Sequence, residues 1–485
     1  MPDDRAFGRL GATAFPSGPV GARDAPASRP VGGEGGDVPS HNGIRLGGRR
    51  RLVVRGGTVV DSTGERRGDV FIEDGRVVAV GEGIDVPFGT ALLEASGCVV
   101  APGLVDLHTH LREPGDEAAE TIGSGTRAAA LGGYTAVVAM PNTEPAIDSA
   151  AVVRHVLELA RGACADVAVA GAITVGRAGE LVAPLAEMAA AGVKLFTDDG
   201  RGVQRADVLR QALEVAADLG VVLAEHCQDE ALAAGGQMHE GAWSRRFAVP
   251  AQPAAAEEAM LARDLALVRQ TGVPMHFLHL TTRGSVELVR AAKAEGLPVT
   301  AEATPHHLAL SDSLAASRDP LFKVAPPLRS TADAAALRAA CRQGVVDVIA
   351  TDHAPHTRQA KELPFEKAPA GMIGLETALA VAYEVFVARP EDAEPLSLTE
   401  LFALLSWRPA ALAGLDRSLG HGGPFVPGSV AHVCVFDPTH TWTVDRWAMA
   451  SRSRNSPFHG MRLSGRVRHT VLAGEPVVVD GRATR

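Results

Sequence analysis

Nine side chains able to bind a metal or move a proton recur at one kind of position in this chain, the polar end of a short apolar run. His108 and His110 close GLVDLHTH, Asp198 and Asp199 follow GVKLFT, His226 follows GVVLAE, His279 lies in PMHFLHL, and Asp352, His353 and His356 follow VDVIAT. Two residues apart on a strand, His108 and His110 point to the same side and can chelate one ion. Imidazole and carboxylate without thiolate suit zinc, with manganese, cobalt and iron chemically compatible. Four histidines and two aspartates exceed the needs of one tetrahedral ion. They match two ions sharing a bridging carboxylate.

The segments that must position these groups alternate in texture. Strand-like runs occur at GLVDLH, YTAVVAM, DVAVAGAIT, GVKLFT, GVVLAEH, PMHFLHL, PVTAEAT and VDVIAT. Between them lie alanine-rich stretches with helical spacing, such as SAAVVRHVLELARGA, RADVLRQALEVAADLG and SVELVRAAKAEG. Eight such units predict an α/β protein built on a (β/α)8 TIM-type barrel, a fold that gathers catalytic groups at the C-terminal ends of its strands. The competing doubly wound sheet loses its dinucleotide-binding version, because no G-x-G-x-x-G follows the first strand. Outside the barrel, expected over residues 104–414, the texture changes. RLVVRGGTVVD, GDVFIEDGRVVAVG, GSVAHVCVFDP and HTVLAGEPVVVDGR read as strands and hairpins. They predict a small β domain formed from both N- and C-terminal segments, 51–103 and 415–485. Residues 1–50, rich in Gly, Pro and charge without periodicity, are expected to be a disordered extension.

Composition narrows the function classes. At 485 residues the chain suits one large domain and a smaller one. Hydrophobic residues at 46% and charged residues at 21% exclude disorder throughout. A net charge of −10 supplies no basic field for nucleic acid or an anionic membrane. The five cysteines are scattered, without C-x-x-C spacing, which fits a reducing compartment rather than a disulfide framework. No apolar run reaches the ~18 residues of a membrane span. The N-terminus offers no apolar signal-peptide core, so a cytoplasmic protein is expected.

Taken together, PGLVDLHTHLREPG, GGYTAVVAMPNTEP, FTDDG, ATPHHL, PPLRS and ATDHAPHT resemble dihydroorotase of the bacterial type I class, in the amidohydrolase superfamily, from about Arg51 to the end. The resemblance implies zinc-dependent, reversible hydrolysis of (S)-dihydroorotate to N-carbamoyl-L-aspartate, the third step of de novo UMP synthesis. It implies two zinc ions per chain, one held by His108, His110 and Asp352 and the other by His226 and His279, with Asp199 bridging. Asp352 is then the catalytic proton carrier. His110, Arg112, Asn142, His356 and the backbone of Ala370 and Gly371 match substrate-binding positions. Arg112, two residues past His110, carries a planar guanidinium suited to a carboxylate.

Many amidohydrolase barrels bridge their metals with a carboxylated lysine instead, and Lys194 offers one, with Asp199 the expected bridge and Asp198 structural. His306 and His307 match no ligand position and are expected to be structural. Ala325 departs from the pattern, which often has Asn there, and removes an amide from the substrate ring. The charged stretch from Thr357 to Pro369 is expected to be a mobile lid that orders on substrate or, alternatively, a solvated connector.

Two alternatives stand beside this reading. Hydantoinase, dihydropyrimidinase and allantoinase share the barrel and the cyclic-amide chemistry, but Arg112 favours a carboxylated substrate. A non-catalytic homologue supporting aspartate transcarbamoylase would have lost ligands, and here every ligand position is filled. The expected partner is the small-molecule substrate, with a homo-oligomer or an aspartate transcarbamoylase complex left open.

Overall fold

The computed structural model describes residues 50–391 and 394–485, so the extension expected over residues 1–50 lies outside the described residues apart from Arg50. The eight apolar runs form strands β1 (Leu104–Thr109), β2 (Tyr134–Ala139), β3 (Asp166–Val169), β4 (Leu195–Phe196), β5 (Val222–Glu225), β6 (Met275–Phe277), β7 (Val299–Ala303) and β8 (Val348–Ile349). β1–β3 pair in order, as do β4–β8, and every pairing is parallel. Parallel bridges from Gly171 to Phe196 and from Thr109 to His353 join the two arcs. The expected (β/α)8 barrel is thus the observed fold.

These runs were legible because a parallel strand covered on both faces is apolar at every position. All six residues of β1 and all six of β2 are buried. The surrounding helices are amphipathic. Helix Ala206–Leu219 buries Val208, Leu209, Ala212, Leu213 and Ala216 on one face, each Val or Leu contributing about 1.5–3 kcal/mol. Gly220, at φ 61°, then ends it in a left-handed turn. Capping hydroxyls start others: Thr121 accepts from Ser124 N, Thr282 from Ser285 N, and Ser330 from Asp333 N.

Inside the ring, Val105, Leu107, Ala136, Val138, Ala170, Leu195, Ala224, Val348 and Ala350 form a cluster separate from the strand–helix layer. Ala410, Ala413 and Leu415 join that cluster. The interior of the ring is therefore packed with apolar side chains below the strand ends.

Both chain ends build one nine-stranded sheet. Val433–Thr443 pairs antiparallel with Val99–Pro102, which in turn runs parallel to Arg51–Asp61. Val54, Val59, Val70, Val100, Val433 and Val435 fill its core. Among the described residues no helix is long and apolar enough to cross a membrane.

Candidate metal centre

The strand ends deliver two histidine pairs to a single carboxylate. On one side His108 Nε2 and His110 Nε2 lie 3.3 and 3.5 Å from Asp199 Oδ2. On the other, His226 Nδ1 and His279 Nε2 lie 3.3 and 3.4 Å from Asp199 Oδ1. Asp352 Oδ1 stands 3.1 Å from His110 Nε2 and 3.5 Å from His108 Nε2. All six residues are buried. Each oxygen of Asp199 therefore faces its own pair of imidazoles, and each pair with Asp199 could hold one ion.

Local backbone geometry aims these groups. In the pairing of β1 with β2, Asp106 opposes Val137 and Thr109 opposes Ala139, so β1 carries one extra residue between Asp106 and Thr109, the stretch that includes His108. Such a bulge re-aims side chains where a strand meets a site. Arg112, His279 and Asp352 hold left-handed backbone at φ 61°, 27° and 45°. Strain of about 1–3 kcal/mol per residue persists only where surrounding structure enforces it.

Hydrogen bonds fix the imidazole tautomers. Glu302 on β7 accepts from His108 Nδ1 at 2.8 Å, which directs the lone pair of His108 Nε2 at Asp199. Burial would raise the carboxyl pKa of Glu302, but the hydrogen bonds from His108 and His276 hold it down to about 2. Glu302 also accepts from His279 N at 3.2 Å, tying both histidine pairs to one anion. Asn142 Oδ1 accepts from His110 Nδ1 at 2.8 Å, which directs Nε2 of His110 inward in the same way.

Several buried atoms here have no hydrogen-bond partner: His108 Nε2, Asp199 Oδ1, both ring nitrogens of His226 and Nδ1 of His279. Unpaired buried polar atoms cost about 1–3 kcal/mol each. Cations shared among the imidazoles and Asp199 would satisfy lone pairs and carboxylate together. The electrostatics agree. Burial disfavours a charged His108, yet Asp199 and Asp352 hold its pKa well above the ordinary imidazole value. The site as built calls for positive charge.

The rim carries the groups expected to meet substrate. The Arg112 guanidinium is anchored by Nε to Pro355 O at 3.1 Å. His356 donates from Nε2 to Ala370 O at 2.7 Å. Burial and the neighbouring Arg112 push the pKa of His356 down to about 3, so it is neutral, with Nδ1 the acceptor. Gly371, at φ 144°, passes so close that an added Cβ would lie 2.8 Å from His356 Nε2 and 2.9 Å from Ala354 O. Gly371→Ala is therefore expected to displace His356 and raise KM about tenfold, the equivalent of about 1.4 kcal/mol. Steady-state kinetics on the folded variant check this, and an unchanged KM would separate Gly371 from the site.

The other singled-out residues distribute as follows. Lys194 is exposed beside Gly414 at the N-terminal end of β4, the opposite end from the metal-type cluster. Asp198 turns to Thr174, accepting from its backbone N and its hydroxyl. His353 faces Glu120 and accepts from Gly374 N. His307 is held by Thr304 Oγ1 and Pro326 O, in keeping with a structural role, whereas His306 Nε2 is buried without a partner. Ala325 is exposed. The stretch Thr357–Pro369 is pinned at its middle. Lys361 Nζ donates to Pro369 O and Gly371 O, each at 3.0 Å, and Phe365 is buried. Sequence reading passed over Glu302 and His276. The signal for Glu302 was a lone carboxylate inside PVTAEAT, a run otherwise fit for burial on both faces.

Comparison with known proteins separates shape from sequence. Residues 97–285 match the Dihydro-orotase-like family. The L-hydantoinase (dihydropyrimidinase) of Arthrobacter aurescens superposes with a TM-score of 0.80 at 26% identity, covering 90% of this chain and 97% of that one. A D-hydantoinase (dihydropyrimidinase) from Thermus sp. gives 0.76 at 25% identity, covering 89% and 96%. The dihydroorotase of Streptomyces coelicolor is 45% identical over 90% of this chain and 100% of its own length. That of Pelotomaculum thermopropionicum is 43% identical over 89% and 99%. The structural matches are hydantoinases at 25–26% identity, whereas the dihydroorotases are 43–45% identical across nearly their full length, and the chain belongs to the dihydroorotase family.

Proposed function

We propose that this protein hydrolyses (S)-dihydroorotate reversibly to N-carbamoyl-L-aspartate, in pyrimidine biosynthesis, with two zinc ions per chain. One observation carries the metal reading: a single buried carboxylate, Asp199, presents its two oxygens to two separate histidine pairs. In this reading His108, His110 and Asp352 hold one ion, His226 and His279 the other, and Asp199 bridges. The exposure of Lys194 at the far end of β4 favours Asp199 over a carboxylated lysine. The division into a 1–50 extension, a β domain over 51–103 and 415–485 and a barrel over 104–414 belongs to the same proposal.

Bound zinc would supply a water acidic enough to attack near neutral pH and would polarise the ring amide carbonyl. The chain's own residues do the rest. Arg112 pairs with the ring carboxylate through its Nη groups, because Nε is committed to Pro355 O. Asn142, with Oδ1 committed to His110, presents Nδ2 as a donor to the same carboxylate. His356 accepts a ring N–H at Nδ1, because Nε2 is committed to Ala370 O. These contacts orient the amide carbonyl for attack. Despite burial, the imidazoles of His108 and His110 keep Asp352 ionised, so its carboxylate takes the proton of the attacking water. It then delivers that proton to the departing ring nitrogen.

The deciding experiment measures metal content alongside turnover of dihydroorotate, hydantoin and allantoin on the purified full chain. About two zinc ions per chain, loss of turnover to a chelator and a strong preference for dihydroorotate are expected. Full activity without metal, or a preference for the uncharged rings, would overturn the reading.

A further inference from the structure

A second guanidinium reaches this site from a segment that matches none of the expected substrate-binding positions. Arg177 lies in the short turn Val175–Arg177 beyond the end of β3. Its Nη2 donates to the main-chain oxygens of Asp199 and Asp198, and its Nε is buried with no partner. The guanidinium and the Asn142 amide both border Gly200. A Cβ placed on Gly200 would lie 3.4 Å from Arg177 Nη2 and 3.9 Å from Asn142 Nδ2, so both donors flank this glycine. Burial and, to a lesser extent, the charge of Arg177 lower the pKa of Arg112, against the pull of Asp116, Asp352 and Asp199.

The backbone sets Arg177 apart from a surface arginine. Gly176 and Arg177 are both left-handed, at φ 59° and 56°. Nine non-glycine residues have positive φ among the described residues. Of these, Asp74, Ala473 and Asp480 each precede a glycine in a hairpin turn, Ala248 ends a helix, and Arg318 sits in a surface turn. The remaining four are Arg112, His279, Asp352 and Arg177. The first three already belong to the site. Strain of this kind is maintained where a side chain has to be delivered to a fixed place.

The carboxylates of Asp198 and Asp199 face Arg177, and those of Asp116, Asp352 and Asp199 face Arg112, so both guanidiniums are held in a charged, largely buried setting where a further anion can be shared between them. The reaction supplies that anion on both sides. Dihydroorotate carries one carboxylate, and ring opening turns an uncharged amide into a second. From this geometry we infer that Arg177 is a second substrate-binding arginine, which donates to the ring carboxylate opposite Arg112 and selects anionic over uncharged cyclic amides. The inference rests on the proposed placing of substrate at Arg112, Asn142 and His356.

The test compares wild type, Arg177→Gln and Arg177→Lys for dihydroorotate kinetics, metal content, and direct calorimetric binding of orotate, a carboxylated ring that is not hydrolysed. A charge-assisted hydrogen bond of about 1.5–3 kcal/mol corresponds to roughly 10–100-fold in affinity. Arg177→Gln is therefore expected to raise KM for dihydroorotate and weaken orotate binding by at least about tenfold. Metal content should stay unchanged, and Arg177→Lys should recover part of the loss. Unchanged KM and orotate affinity would overturn the inference. So would a fall in metal content and kcat at constant orotate affinity, which would reduce Arg177 to a brace for the Asp198–Asp199 backbone. If the wild type binds orotate through Arg177 yet does not turn over dihydroorotate, the inference stands and the proposed activity fails. If the wild type binds no orotate, both fail.

Discussion

Asp199→Ala is expected to strip the protein of metal and lower kcat by about a thousandfold or more, a loss of at least about 4 kcal/mol of transition-state stabilisation. The reason is geometric. The carboxylate of Asp199 is, among the described residues, the one whose oxygens approach imidazole nitrogens of both histidine pairs, at 3.3–3.5 Å. Without that carboxylate, two cations would face each other across four neutral imidazoles with no shared negative charge. Lys194→Ala is the matched control. Its side chain is exposed at the other end of β4, so metal content and turnover should equal wild type, and added bicarbonate should change nothing. Elemental analysis with parallel assays decides. Metal lost only when Lys194 is changed would move the bridge to a carboxylated lysine.

The second large effect belongs to Asp352. In Asp352→Asn the amide keeps the shape and can still sit near His110, but it cannot take up and return a proton. Loss of a general acid–base group typically costs about 10²–10⁴ in rate. Because the same proton moves in both directions, hydrolysis and ring closure should fall by the same factor. The equilibrium between dihydroorotate and N-carbamoyl-aspartate must stay where it was. Measuring kcat/KM in each direction across pH checks this. A variant that retained wild-type kcat in either direction would remove Asp352 from proton transfer.

What the amino-acid order determined alone follows from local periodicity. Parallel strands buried on both faces must be apolar throughout, and helices laid over them must be amphipathic, so the eight units and the barrel were readable before any coordinates. The ligand-type residues were readable for the same reason. A histidine or aspartate at the end of an apolar run lies near the mouth of the barrel; His108, His110, Asp199, His226, His279 and Asp352 meet there, while Asp198 and His353 turn to Thr174 and Glu120. Tertiary structure decided what depends on distances across the ring. Only closure of the barrel brings β7 beside β1, so that Glu302 can fix the tautomer of His108 across 194 residues of sequence. Only the path of β4 shows that Lys194 leaves the site while Asp199 enters it. Left-handed backbone at Arg112, Arg177, His279 and Asp352 leaves no mark on the spacing of apolar residues. It is imposed by the packing around them, and it turns an arginine that reads as a loop residue in TVGRAGE toward the same rim as Asn142.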